Sequence, residues 1–194
     1  MKILNQTVAD LLPLYGYTCL YDYIVSKKNA FSDVKIDANS TEGGFNPLTK
    51  ALIFKTEASI SYSFAEEFVH LYQDTYYPAG IYQYIGYGSP NIEFEAKLTM
   101  DILCVIRYGV CDKLGAAKNN ADSYTNWLRD ITSDYTKIPS YSDLIAKPTD
   151  SGSKNYWDYL SDFQKDPSKN PNNLQINPLL LPNALVNIGT LKPK

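Results

Sequence analysis

The chain has 194 residues, a hydrophobic fraction of 44%, a charged fraction of 20% and a formal net charge of −3. These values describe an ordinary globule with room for one hydrophobic core. The slight excess of acid excludes a general nucleic-acid binder, which needs a basic stripe, and no apolar run approaches the roughly 20 residues that span a bilayer.

The first ten residues lack a continuous apolar core, so no signal peptide is visible and a soluble chain is expected. Spacing at threes and fours (Val8, Leu11, Leu12, Tyr15, Cys19, Ile24) predicts a helix from Ile3 to Ser26, kinked or divided at Pro13 and Gly16. A short strand follows at Val34 to Ala38. Loop material occupies Thr41 to Gly44 and Asn46-Pro47. A second strand runs from Ala51 to Thr56. Ser61 or Ser63 caps the next helix, which carries Glu66, Glu67 and His70. A Tyr/Gly-rich loop extends from Tyr76 to Pro90. Asn91 then caps a helix that runs to Tyr108 and stops at Gly109. Further helices are expected near 121–133, 141–146 and 154–164. An exposed Pro/Asn/Lys-rich loop follows at 166–177, and an irregular apolar tail at 179–191. There is no internal repeat.

The three cysteines, Cys19, Cys104 and Cys111, are too few for a disulfide framework. One pair could form and leave one thiol free, and Cys104, in an apolar run, reads as a small buried hydrophobe. Seventeen tyrosines against seven phenylalanines suit half-wet surfaces.

His70 is the only histidine. On a helical wheel Ala65, Phe68, Val69 and Tyr72 form the core stripe, while Glu66, Glu67, His70, Gln73 and Asp74 fill the opposite wedge. Glu66 and His70 lie one turn apart and can face the same object. Glu67 stands to the other side of His70, where a base could reach a water. The plain alternative is the polar face of an amphipathic helix with an ordinary Glu–His contact. On the later helix, Glu93, Lys97 and Asp101 group on one face, so Glu93 reads as a solvated surface carboxylate, whereas Glu95 falls among Ile92, Leu98, Ile102 and Ile106. A carboxylate in an apolar stripe is expensive without a partner. That partner could be charged His70, a metal held with His70, a lysine or arginine, or several backbone N–H groups. A di-iron site would need a second histidine, no serine stands in a nucleophile elbow, and Gly86-Tyr87-Gly88 lacks the residues of a phosphate loop.

The order strand, Glu66-Glu67-x-x-His70, loop, glutamate helix resembles the core of zincin-like metallopeptidases of the glutamate-ligand type. In those enzymes the first helix reads His-Glu-x-x-His. His70-x-x-Gln73 and Glu93-x-Glu95-Ala96 also resemble segments of that group, and the likeness covers Ala51 to Arg107. It implies an α+β, mainly helical fold, with a small sheet before a motif helix and a glutamate-bearing helix. The chain would be one zincin-like domain, 1–194, with an irregular tail from about 166. The strand at Leu52 to Thr56 would be the edge strand that pairs with an extended peptide. His70 and Glu95 would be metal ligands, Glu67 the general base, and Glu66 would replace the first histidine. Tyr82, Tyr84 and Tyr87 would border the substrate cleft. The cofactor would be zinc or another divalent metal, and the reaction metal-assisted hydrolysis of a peptide or protein, weakened or lost because of Glu66. Without metal, Glu66, His70 and Glu95 would form a hydrogen-bonded cluster. The competing readings are a non-catalytic binding module that uses a tyrosine-lined cleft, and a structural helical domain in which the motif is coincidence.

Overall fold

The structure is a computed structural model, and it describes residues 10–27, 33–40, 42–111, 114–117, 121–146 and 154–191. The expected start of the first helix at Ile3 lies outside these residues. Two compact units emerge. One comprises Met1–Gln83 with Leu191–Lys194, the other Tyr84–Thr190.

In the first unit, helical turns over 10–15 (α1) end at Gly16, whose φ of 72° is left-handed, and α2 spans Thr18–Ser26. The helix is therefore divided at the glycine, as the sequence suggested. Strands β1 (Asp33–Ile36), β2 (Gly43–Asn46) and β3 (Ala51–Phe54) form a sheet of order β1-β3-β2. β1 pairs with β3 in parallel, with Val34 opposite Leu52, and β2 pairs with it antiparallel, with Phe45 opposite Leu52. Two sequence expectations change here. Gly43–Asn46 is a strand rather than a loop. The strand before the motif helix is the central one, with both sides already paired, so it cannot receive a substrate strand.

The motif helix α3 runs from Glu57 to Tyr76, starting two residues after β3. Its N-cap is Thr56, whose hydroxyl accepts from Ser59 N–H at 3.1 Å; Ser61 and Ser63 lie inside the helix. Phe64, Phe68 and Tyr72 recur at one-turn spacing and meet α2 and the segment before it. Tyr17 stacks on Phe68 with ring centroids 5.8 Å apart, and Tyr23 meets Tyr72 edge-on at 5.4 Å. Each such ring contributes about 1.5–3 kcal/mol by burial.

The second unit is helical, built from α4 (Ser89–Tyr108), α5 (Ala121–Ile131), α6 (Tyr141–Ile145), α7 (Tyr156–Lys165) and α8 (Asn183–Ile188). α4 ends at Gly109 in a left-handed conformation, as expected, but begins at Ser89 with Pro90 in its first turn. Asn91 is not its cap. Phe94, Leu98 and Ile102 of α4, Tyr124 and Leu128 of α5, Tyr156, Leu160 and Phe163 of α7, and Leu185 of α8 share one core. Asn155 starts α7 with a capping box, accepting from Trp157 and Asp158 N–H while the Asp158 carboxylate accepts from Asn155 N–H.

The segment after α7 is more ordered than a loop-and-tail reading allows. Buried Asn170 bonds the Gln164 and Leu174 carbonyls and accepts from Leu174 N–H, and Asn183–Ile188 is helical. Cys104 is disulfide-bonded to Cys111 rather than a free core thiol, and Cys19 is free. Among the described residues, no helix is long and apolar enough to cross a membrane.

Candidate metal site

The polar wedge of α3 is not a solvent face. His70 is 7% exposed, Gln73 is fully buried and Asp74 is 4% exposed, so the plain amphipathic reading fails for these three. Each has a defined task. Asp74 receives the Lys50 ammonium at 2.5 Å and Ile81 N–H at 3.1 Å, which holds the turn after the helix. Gly80 is required in that turn. Its φ is 76°, and a Cβ there would collide with the Asp74 carboxylate.

His70 and Gln73 are three apart and meet side to side, with Nδ1 2.9 Å from Oε1 of the amide. The amide oxygen can only accept, so Nδ1 carries a proton, and in the neutral ring the lone pair sits on Nε2. That tautomer is the one a metal needs, and a buried partner on the second nitrogen is the usual means of fixing it. Sequence reasoning noted Gln73 in the His-x-x-Gln segment but gave it no role. The signal was the i, i+3 spacing of an amide and an imidazole on a polar wedge.

Glu66, one turn before His70, is half-buried. Glu66 and His70 each offer one ligand atom from α3, and these two atoms lie within 4.8 Å of each other. A divalent ion at about 2.0–2.2 Å from nitrogen and oxygen donors fits such a spread. Glu67 is half-buried. Glu93, expected as a solvated surface carboxylate, is half-buried on α4.

Glu95 is buried, at 1% exposure, as its place in the apolar stripe predicted. Its Oε1 accepts from Leu185 N–H at 2.9 Å, in the first turn of α8. A carboxylate there satisfies one of the donors that every helix start leaves open and meets the positive end of the helix dipole. Backbone N–H was among the partners its burial called for. Its charge, after burial, raises the ionisation range of the Tyr84 and Tyr156 hydroxyls. Asn91, one turn earlier, accepts from Asn177 N–H and donates to the Asn177 and Leu180 carbonyls. Both residues therefore tie the 177–185 segment to α4.

Of the tyrosines assigned to a cleft, Tyr82 and Tyr87 are exposed at 50% and 57%, and Tyr84 is half-buried. Tyr82–Tyr84 form one 3-10 turn, and Tyr87 makes a parallel bridge with Gln175. No protein-family model, no curated protein and no solved structure matches this chain.

Proposed function

We propose that the protein binds one divalent metal ion through Glu66 and His70 of the motif helix, as a relative of the zincin-like metallopeptidases whose peptide hydrolysis is weak or lost. The observation that carries this reading is the pairing of Glu66 and His70 on α3, whose ligand atoms lie within 4.8 Å of each other, one of them on the buried imidazole. The His70–Gln73 bond supports it, because it prepares Nε2 for coordination before any metal arrives.

A carboxylate in place of the first histidine gives the metal less positive character than a two-histidine set. The donor set leans toward zinc, manganese or iron(II), and the metal lowers the pKa of a bound water less. Glu67, next to Glu66 on the same helix, would take a proton from that water. A metal here would supply Lewis acidity toward a carbonyl oxygen. An extended peptide would have to add at the outer edge of β1 or β2, since β3 is paired on both sides.

Calorimetric titration of the purified chain with zinc and with manganese tests the reading. One equivalent should bind, His70→Ala should abolish binding, and Glu66→His should tighten zinc at least tenfold. Glu66→Gln should weaken binding. If neither the wild-type chain nor Glu66→His binds metal stoichiometrically, the site and the peptidase kinship both fall.

A further inference from the structure

The chain that leaves α4 at Gly109 returns along one stripe of the same helix. Lys97, Asp101 and Cys104 stand at i, i+4 and i+7 on α4. Cys111 is bonded to Cys104, with Cα atoms 6.2 Å apart, and Gly115 and Ala116 donate their N–H groups to the Asp101 carboxylate at 2.7 and 3.0 Å. A Cβ on Gly115 would meet the Lys97 side chain at 3.5 Å, so the backbone there lies close against the helix.

Residues 114–117 belong to no helix or strand. They are held by the two bonds to Asp101, by a bond from Lys169 Nζ to the Gly115 carbonyl at 2.8 Å, and by the packing of Leu114, Ala116 and Ala117 on the core of the unit. A stretch with so few ladder bonds sits at the low-stability end of a fold and opens locally unless it is tethered. The disulfide is that tether. It closes a short loop, over a sequence separation of 7, and limits how far the following residues can move from Asp101. Cys104 and Cys111 are both partly exposed, so a thiolate can reach the bond.

We propose that the Cys104–Cys111 disulfide is a redox-operated clasp, and that its reduction by a dithiol releases residues 114–117 from Asp101. A thiolate of the dithiol attacks one sulfur and displaces the other, which takes up a proton. The second thiol of the reagent then closes its own disulfide and displaces the first cysteine. Two electrons pass to the protein, which ends with two thiols, and the dithiol ends as a cyclic disulfide. Ala116 and Ala117 also line a cavity of about 430 Å³ beside α7, so release changes the wall of that cavity. The clasp uses no residue of the metal-binding reading.

The test is amide hydrogen exchange, followed by NMR, on the full chain when oxidised, when reduced with dithiothreitol, and when reoxidised. In the reduced protein, protection at Gly115 and Ala116 should fall at least tenfold more than at Leu98 of α4 and Leu160 of α7, whose amides report opening of the whole unit. Reoxidation should restore it. Cys104→Ser with Cys111→Ser should show the reduced pattern and ignore dithiothreitol, and the wild-type comparison decides the question even if that variant does not fold. An equal loss at all four amides makes the disulfide a general staple and overturns the clasp. So does a bond that dithiothreitol leaves intact in the folded protein, or a loss that reoxidation does not reverse.

Discussion

Asp101 offers a test of how the helical unit is held together. Its carboxylate is 3% exposed and accepts from Gly115 N–H at 2.7 Å, Ala116 N–H at 3.0 Å and the Tyr124 hydroxyl at 2.8 Å. Burial raises its pKa from 3.8 to about 6, against the opposing pull of those three donors and of Lys97. Between these two values the folded protein holds a proton that the unfolded chain has already released. Stability therefore falls as pH rises through that window, and the contribution is fully lost above about 6. A shift of this size corresponds to about 3 kcal/mol at 1.36 kcal/mol per pKa unit. Asp101→Asn cannot ionise and lacks this component. Urea unfolding of both proteins, followed by Trp127 and Trp157 fluorescence across the window, isolates it. The wild type should lose about 3 kcal/mol relative to the variant between pH about 4 and about 7. A flat difference refutes the reasoning. A difference that moves in the wild type's favour refutes it more instructively, because the three donors would then outweigh burial. Tyr124→Phe removes one donor and should move the wild-type transition to higher pH.

Three further outcomes follow from single contacts. Gln73→Leu should weaken the metal titration about 10–100-fold, because Nδ1 of His70 loses the acceptor that fixes its tautomer. Tyr156→Phe should raise the urea midpoint, by up to about 1 kcal/mol of stability, because the buried Tyr156 hydroxyl has no hydrogen-bond partner among the described residues. Cys111→Ser should lower stability by about 2 kcal/mol in thermal unfolding under non-reducing conditions, since it opens the loop closed by the Cys104 disulfide.

Where local chemistry decides the structure, the sequence was legible. Gly16 and Gly109 mark helix ends because a left-handed residue is needed there. The apolar stripes of α3 and α4 are visible at helical spacing, and Glu95 was recognisably interior. Strand order was not legible. Ala51–Phe54 reads as a strand wherever it sits in a sheet, and only pairing with both β1 and β2 makes it central. The strand character of Gly43–Asn46 was hidden by its two glycines. Gly43 owes its identity to packing, since a Cβ there would collide with Ser63 of α3. Helix starts moved for a similar reason. Thr56 caps α3 because β3 ends beside it, and Pro90 rather than Asn91 opens α4.

The candidate ligands show why a buried acid is an ambiguous signal. Asn91, Glu95 and Asp101 all point polar groups from α4 into the interior, and each receives backbone N–H from a segment that follows in the chain: Asn177, Leu185, and Gly115 with Ala116. Such segments have few ladder partners, so side chains of a long helix must satisfy their donors. A carboxylate suits that role because it accepts several bonds at once. Burial alone therefore drew attention to Glu95, which bonds α8. Burial measures how much a polar group needs partners. Whether a metal is among them depends on a second ligand atom within coordination reach, and Glu66 offers one to His70 from one turn away on the same helix.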